Sequence, residues 1–83
     1  MSYGLVYTSR AEKDLRKLGE AVKRIGKALL QYKEAPLKYA ERLTHTKLGT
    51  YRFRIGDYRV VFDIKGDGIV VLRAGHRKEI YRR

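Results

Sequence analysis

The sequence predicts an α+β domain: an N-terminal strand, then an antiparallel helical hairpin packed on one face of a small, mainly antiparallel, twisted β-sheet. In the first half of the chain the hydrophobic residues recur with the period of a helix, and in the second half they alternate with the period of a strand. Two glycine-containing turns divide the second half into three strands, which predicts a meander. With 83 residues the chain has room for one domain, residues 1–83.

A short strand followed by a helix begins the chain. Residues 3–9, YGLVYTS, are rich in β-branched and aromatic side chains, as is typical of a strand. Ser9 and Glu12 then form the S-x-x-E pattern of a capping box, which predicts that the helix starts at Ser9. Gly19 predicts its end. The apolar residues of this helix share one face: Ala11, Leu15 and Leu18.

A second helix is predicted from about residue 20 to residue 33, and Pro36 ends it. The connection between the two helices is short, so they are expected to form an antiparallel hairpin. Residues 37–49 are predicted to be a loop with one helical turn. The second helix has an apolar face with the spacing i, i+3, i+4, i+7: Val22, Ile25, Gly26 and Leu29.

Three strands are predicted at residues 51–55, 58–64 and 69–75, separated by turns at 56–57 and 65–68. Side chains along a strand alternate between the two faces of a sheet. One face is therefore apolar and is expected to pack against the helices: Tyr51, Phe53, Ile55, Tyr58, Val60, Phe62 and Ile64.

The chain is strongly basic, with 20 Lys+Arg against 9 Asp+Glu and a formal net charge of +11. The excess is spread over both halves of the sequence, so it belongs to the domain and is not a tail. A domain of this charge attracts polyanions, which makes nucleic acid and an acidic protein the two candidate partners.

Other features of the composition exclude several classes of site. The absence of cysteine excludes disulfides and thiolate metal sites. No His/Asp/Glu cluster has ligand spacing and no Gly-rich loop resembles a nucleotide cradle, so we expect no metal and no cofactor. No apolar stretch approaches the roughly 18–20 residues of a membrane span, and the N-terminus lacks a signal-peptide pattern, so we expect no membrane association and a cytoplasmic location.

Arginines are predicted to gather on the face of the sheet opposite the helices. Arg52 and Arg54 alternate with apolar residues of the same strand, and Arg59 does so on the next strand. Guanidinium groups offer planar, bidentate donors to phosphate oxygens and keep their charge at all useful pH values. Preplaced donors of this kind stabilise the charge of a phosphate transition state by about 10²–10³ in rate each. The alternative interpretation is a solvated strand face.

The closing segment GHRKEIYRR adds groups suited to chemistry beside these arginines. His76 is a natural proton-transfer group near neutral pH. Arg77 brings a further guanidinium, and Tyr81 is suited to stacking on a base or orienting a ribose hydroxyl. The alternatives are that His76 is a turn residue and Tyr81 a core aromatic. His45 has no acidic or histidine companions at ligand spacing, and we interpret it as a surface residue.

The block LGTYRFRIGDYRVVF and the closing G-H-R-x-x-x-Y resemble the RelE/ParE superfamily of toxins from toxin–antitoxin systems. The resemblance covers nearly the whole chain and implies a RelE-like fold. For the RelE branch it implies a ribosome-dependent endoribonuclease that cleaves mRNA in the A site. The 2′-hydroxyl attacks the scissile phosphate without a metal, leaving a 2′,3′-cyclic phosphate.

The resemblance also implies roles for individual residues. Arg59 and Arg77 match the arginines that stabilise phosphate charge, and Tyr81 matches the tyrosine that supports the 2′-hydroxyl or stacks on the nucleotide. At the positions of Arg52 and Arg54 some members have basic residues, often lysine. Arginine does not serve as a base, so proton transfer is assigned to His76. Further residues predicted to bind RNA phosphates are Arg73, Lys78, Arg82 and Arg83, together with Arg52 and Arg54.

The partners implied are a cognate acidic antitoxin, in a heterodimer or heterotetramer, and the ribosome with its mRNA. Two alternatives stay open. One is a non-enzymatic poison of DNA gyrase, as in the ParE branch, whose members usually lack the closing histidine-arginine-tyrosine set. The other is a basic nucleic-acid-binding module without chemistry. The GHRKEIY segment favours the ribonuclease.

Overall fold

The computed structural model describes residues 2–44 and 49–80. Within these residues the chain forms three helices and five strands, and the predicted α+β architecture is confirmed. None of the helices in this described part is long and apolar enough to cross a membrane. The elements in chain order are β1 (Gly4–Tyr7), α1 (Ser9–Arg16), α2 (Ala21–Tyr32), α3 (Pro36–Tyr39), β2 (Glu41–Arg42), β3 (Tyr51–Ile55), β4 (Tyr58–Lys65) and β5 (Gly68–His76).

The strands form one sheet in the order β1-β5-β4-β3-β2. The β3–β4–β5 meander is antiparallel, as predicted, and β1 adds in parallel beside β5. The register between β4 and β5 shifts between Val61 and Phe62, where β5 carries one extra residue. The short strand β2 was predicted as loop; it pairs antiparallel with β3 and extends the sheet by one strand.

The hydrophobic core lies between the helices and one face of the sheet. Phe53 and Phe62 stack at its centre, with ring centroids 4.2 Å apart. Both side chains are fully buried because the alternation of β3 and β4 turns them towards α2. The buried cluster consists of Ala11, Ile25, Leu29, Phe53, Ile55, Val60, Phe62, Ile69, Val71 and Ala74.

The helix start differs from the sequence prediction by one residue. Thr8, not Ser9, is the N-cap of α1: its backbone is extended, and its Oγ1 accepts a hydrogen bond from the Ala11 N–H at 3.1 Å. The Thr8 hydroxyl also donates to the carbonyl of Leu72 in β5 at 3.2 Å. That second contact joins the helix start to the sheet and explains why the threonine is selected over the neighbouring serine.

Two details of α2 also differ from the prediction. Val22 is 37% exposed, so the buried face of this helix is centred on Ile25 and Leu29 and does not extend to Val22. Pro36 stands at the first position of α3, after α2 has ended at Tyr32. The fixed φ of proline and its missing N–H suit the first turn of a helix, so Pro36 begins one helix and does not directly end the other.

The opposite face of the sheet, which we call the open face, is partly covered. Val61 is fully buried there although it lies outside the main core cluster. Gly49 lies over Val61 and Leu72 so closely that a β-carbon would be 2.7 Å and 2.9 Å from their side chains. Ile80 is 2% exposed and packs against Gly75 at the end of β5. Residues 77–80, the described part of the chain after β5, therefore fold back against the sheet.

Candidate functional site

Arg52 and Arg54 project from the open face, as the alternation of β3 predicts. Phe53 and Ile55 between and beyond them are buried in the core. The side chain of Arg52 is 28% exposed and that of Arg54 is 57% exposed. The register pairs Arg54 with Arg59 of β4, and because paired residues share a face, Arg59 also lies on the open face.

One carboxylate, which the sequence analysis did not single out, holds both arginines of β3. Glu41 of β2 accepts a hydrogen bond from Arg52 Nε at 2.7 Å, and its other oxygen lies 3.4 Å from Arg54 Nη1. The hydrogen bond from Arg52 is the main cause of a lowered pKa of the Glu41 carboxyl, and the charges of Arg52 and Arg54 add to it. Glu41 therefore stays ionised and keeps the two guanidinium groups side by side.

Arg59 is buried at the hairpin turn between β3 and β4. Arg59 is only 6% exposed, and its Nη1 donates to the carbonyls of Gly56 and Tyr58, both at 2.9 Å. Gly56 has a positive φ of 60°, and the guanidinium of Arg24 from α2 occupies the space where a β-carbon would lie. Arg59 thus braces the turn and, with Arg24, surrounds it with positive charge.

Arg77 reaches the same turn from the closing segment. Its backbone N–H donates to the Asp57 carbonyl at 2.7 Å, and its Nε lies 3.9 Å from the Asp57 carboxylate. The Arg77 side chain is 54% exposed and therefore accessible to a ligand. The turn at residues 56–57 accordingly brings together Arg59 and Arg77, the two arginines predicted to stabilise phosphate charge.

His76 ends β5 next to this turn. Its register partner is Tyr58, so its side chain lies on the helix-facing side of the sheet and not, as expected, on the face that carries Arg52 and Arg54. Its ring meets that of Tyr58 edge to face, with centroids 5.7 Å apart. Its Nδ1 accepts a hydrogen bond from the Lys78 backbone N–H at 3.1 Å. A neutral imidazole held in this way carries its proton on Nε2, which is the nitrogen left to act on a ligand. His76 is therefore arranged as a hydrogen-bond donor, and a role as proton acceptor requires the Lys78 contact to break.

The closing turn folds back on the end of β5. The N–H groups of Glu79 and Ile80 both donate to the His76 carbonyl, at 2.8 Å and 2.9 Å. Lys78 is exposed on this turn. The remaining predicted site residues, Tyr81, Arg82 and Arg83, lie outside the residues that the structure describes, and so does His45.

Arg73 is engaged by a carboxylate of the helical layer. Its Nε lies 2.8 Å from Oδ2 of Asp14 in α1, and the same oxygen accepts the Ala74 N–H at 3.0 Å. Beside this ion pair is a cleft of about 330 Å³ between α1 and the closing turn, whose lining includes His76 and Ile80. Phosphate binding by Arg73 stays a prediction, and any phosphate there would share the guanidinium with Asp14.

The structure adds three residues to the candidate site that the sequence did not predict: Arg24, Glu41 and Asp14. Nothing in the local sequence of α2 or β2 indicates that Arg24 and Glu41 make tertiary contacts. Asp14 offers a signal, since it interrupts the apolar face of α1 at the spacing Ala11, Asp14, Leu15, Leu18. In residues 2–44 and 49–80 no three His, Asp or Glu side chains are grouped so as to hold a metal ion.

The Glu41 contact predicts a pH-dependent contribution to stability. Because the pKa of Glu41 is lowered by folding, its stabilising effect is complete above the ordinary value of 4.5 and is lost as the pH falls through the folded pKa. At pH 7 the free energy of unfolding, measured in urea, is expected to be higher for wild type than for Glu41→Gln. The difference should be no more than about 1 kcal/mol, because the ion pair is exposed. The difference should shrink as the pH is lowered below 4.5 and the Glu41 carboxylate of the folded protein takes up its proton.

The matched control for this experiment is Glu34→Gln, which removes the same charge from an exposed position after α2. Its stability relative to wild type should change little as the pH is lowered. A gap between wild type and Glu41→Gln that widens on acidification would contradict the ion-pair account.

Comparison with known proteins gives the family of the chain. Residues 5–81 match the family described as the ParE toxin of the type II toxin–antitoxin system parDE. Toxin RelG of Mycobacterium tuberculosis is 33% identical over 90 residues, an alignment that covers 100% of both chains. These matches define the class, toxins of type II toxin–antitoxin systems. Within that class the chain belongs to the RelE/ParE superfamily.

Solved structures agree with this assignment. A chain of the toxin–antitoxin complex RelBE2 from Mycobacterium tuberculosis has a TM-score of 0.79 and 27% identity, with 93% of this chain and 100% of that chain covered. The Escherichia coli toxin RelE, solved in the free state as a double arginine-to-alanine mutant, has a TM-score of 0.75 and 26% identity, with 94% and 86% covered. The arrangement of strands and helices described above is therefore that of the superfamily.

Proposed function

We propose that this toxin is a ribosome-dependent endoribonuclease that cleaves mRNA in the A site and thereby inhibits translation. The observation that carries the proposal is the convergence of Arg59 and Arg77 on the turn at residues 56–57, with His76 beside them. A phosphodiester bound at this point would meet the exposed guanidinium of Arg77, with the buried positive charge of Arg59 behind it. These are groups that a phosphoryl transition state needs.

In the proposed reaction the 2′-hydroxyl attacks the adjacent phosphate, the bond to the 5′-oxygen breaks, and a 2′,3′-cyclic phosphate remains. Negative charge grows on the phosphate oxygens, and Arg77, with an exposed guanidinium, is the principal donor to them. Arg59 holds the turn in place from below and adds its positive charge. Arg52 and Arg54, kept together by Glu41, bind the neighbouring backbone phosphates.

His76 is assigned to proton transfer because guanidinium groups keep their protons. With Nδ1 occupied by the Lys78 N–H, the neutral ring can offer only a hydrogen bond from Nε2, because transfer of that proton would leave an imidazolate. Proton transfer therefore requires the Lys78 contact to break: the released ring accepts the proton of the 2′-hydroxyl at its free nitrogen and then, as imidazolium, gives a proton to the leaving 5′-oxygen. Tyr81, proposed to stack on the nucleotide or support the 2′-hydroxyl, completes the set by its position in the motif.

The proposed regulator is an acidic antitoxin. The net charge of +11 favours binding of an acidic chain, and the related structures from Mycobacterium tuberculosis and Pyrococcus horikoshii are toxin–antitoxin complexes. An acidic segment on the open face would neutralise the arginines that the reaction uses. We propose a heterodimer or heterotetramer of toxin and antitoxin.

A second candidate is a poison of DNA gyrase, because the matching family is described by the ParE toxin. Gyrase poisoning needs protein contacts but no phosphodiester site. It therefore gives no reason for His76 and Arg77 to be held against the hairpin turn. The ribonuclease accounts for that arrangement and is preferred.

Mapping of cut sites on a translated message, with and without ribosomes, tests the proposal. Cuts confined to codons in the A site, and present only with ribosomes, are expected. An intact message together with DNA breaks in gyrase-proficient cells would replace the proposal with the gyrase poison. An intact message and intact DNA would leave a binding module.

A further inference from the structure

The last part of β5 extends beyond its neighbour on one side. Strand β1 pairs with Gly68–Val71 only, so the later residues of β5 have no described strand along that edge. Helix α1 takes its place, and Asp14 supplies the acceptor that a strand would otherwise supply. This is the stretch of β5 that leads directly into His76 and Arg77.

The contact made by Asp14 is short and largely shielded from water. A single oxygen, Oδ2, receives both the Ala74 N–H at 3.0 Å and Arg73 Nε at 2.8 Å. The side chains of Asp14 and Arg73 are 11% and 21% exposed. Charge-assisted hydrogen bonds in such a setting are stronger and better oriented than those on an open surface. Asp14 thus fixes the backbone of β5 two residues before His76.

Two other contacts of the described part of the closing segment lie further along the chain or on the other side of the strand. The Arg77 N–H binds the Asp57 carbonyl of the hairpin turn, and Ile80 packs on Gly75. Asp14 joins the same segment to the helical layer and lines the cleft beside His76. The position of His76 and Arg77, the predicted catalytic groups, therefore depends on the Asp14 carboxylate of α1, which lies beside the edge of the sheet.

We propose that Asp14 is a positioning residue of the toxin, whose carboxylate sets where β5 ends and so how His76 and Arg77 meet the substrate. The inference rests on the proposed ribonuclease function. It also gives Arg73 a structural role, because its guanidinium forms the ion pair with Asp14. This role is additional to the phosphate binding predicted for Arg73. Displacement of a reacting group by about 1 Å costs on the order of 10²-fold in rate, so loss of this contact affects cleavage more than binding.

The chain offers a matched control at the same edge. Thr8 also connects the start of α1 to β5, through its hydroxyl and the Leu72 carbonyl, but four residues before His76 and without a charge. Thr8→Val removes that contact and the N-cap, while Asp14→Ala removes the contact next to the site. Both variants loosen α1 from β5, and only the second releases the residues that lead into the closing segment.

The test measures single-turnover cleavage on programmed ribosomes, ribosome affinity, and amide hydrogen exchange at residues 74–80. Asp14→Ala is expected to cut about 10-fold or more slower than Thr8→Val, with ribosome affinity within about threefold of wild type. Its amides at residues 74–80 should exchange about 10-fold faster than in Thr8→Val. Asp14→Asn, which keeps an acceptor oxygen but no charge, should fall between Asp14→Ala and wild type.

Equal cleavage rates for Asp14→Ala and Thr8→Val, with wild type active, would overturn the inference. If Asp14→Ala does not fold, Asp14→Asn decides by the same comparison. If wild type itself cuts no message, the proposed function fails, and hydrogen exchange still tests the contact: faster exchange confined to residues 74–80 supports it, and exchange no faster than in Thr8→Val overturns it.

Discussion

Arg77→Ala is expected to reduce message cleavage by about 10² or more while leaving the fold intact. The guanidinium is more than half exposed, and its contact with the Asp57 carboxylate, at 3.9 Å, is a long surface pair worth about 0–1 kcal/mol. The backbone contact from the Arg77 N–H to the Asp57 carbonyl survives the substitution. The loss is therefore confined to charge stabilisation at the phosphate. Single-turnover cleavage on programmed ribosomes measures it.

Lys78→Ala is the control for this experiment. It removes one positive charge from the next residue of the same exposed turn, and the Lys78 backbone N–H still binds His76. Its cleavage rate should stay within about threefold of wild type at low salt, since one phosphate contact at most is lost. Equal losses in the two variants would mean that Arg77 acts only through net charge, and that the catalytic assignment is wrong.

Phe53→Ala is expected to lower the free energy of unfolding by about 3–5 kcal/mol. The ring is fully buried, stacks on Phe62 at 4.2 Å and meets Tyr32 at 5.0 Å, so truncation leaves a cavity at the centre of the core. A domain of 83 residues has about 4–12 kcal/mol of stability in all. The substitution therefore removes a large share of the total stability. Equilibrium urea unfolding followed by circular dichroism measures the change.

The comparison for Phe53→Ala is Leu30→Ala, because Leu30 is 61% exposed on α2. That substitution should change stability by less than about 0.5 kcal/mol. The contrast also bears on function, since Phe53 separates Arg52 from Arg54 and keeps both on the open face. A stability loss below about 1 kcal/mol for Phe53→Ala would mean that the core is arranged differently around β3.

Much of the fold could be predicted because its local signals agree with one another. The alternation in β3 places Phe53 in the core and Arg54 in solvent, and Gly56 supplies the positive φ that the hairpin turn needs. The missed strand β2 has two residues, too few to show any period. The predicted start at Ser9 was one residue late, because the cap is Thr8, whose hydroxyl also contacts β5, and a tertiary contact of this kind leaves no local signal.

The sequence predicted most of the arginines that lie in the candidate site, but it did not predict the side chains that they contact. The strand period places Arg52 and Arg54 on one face, and the closing motif indicated that Arg77 belongs with Arg59. The carboxylates of Glu41 and Asp14 were not predicted, because each pairs with an arginine that is distant in the sequence. Glu41 lies 11 residues from Arg52, and Asp14 lies 59 residues from Arg73. Such pairs are created by tertiary packing, for which a single sequence carries little signal.

The proposed function depends on one claim, that the open face and the closing segment bind a phosphodiester whose own 2′-hydroxyl attacks it. A message with a single 2′-deoxynucleotide on the 5′ side of a mapped cut tests this most directly. On programmed ribosomes the wild-type toxin is expected to leave that position intact while it cuts the all-ribose message. Cleavage of both messages at the same position and rate would contradict this claim.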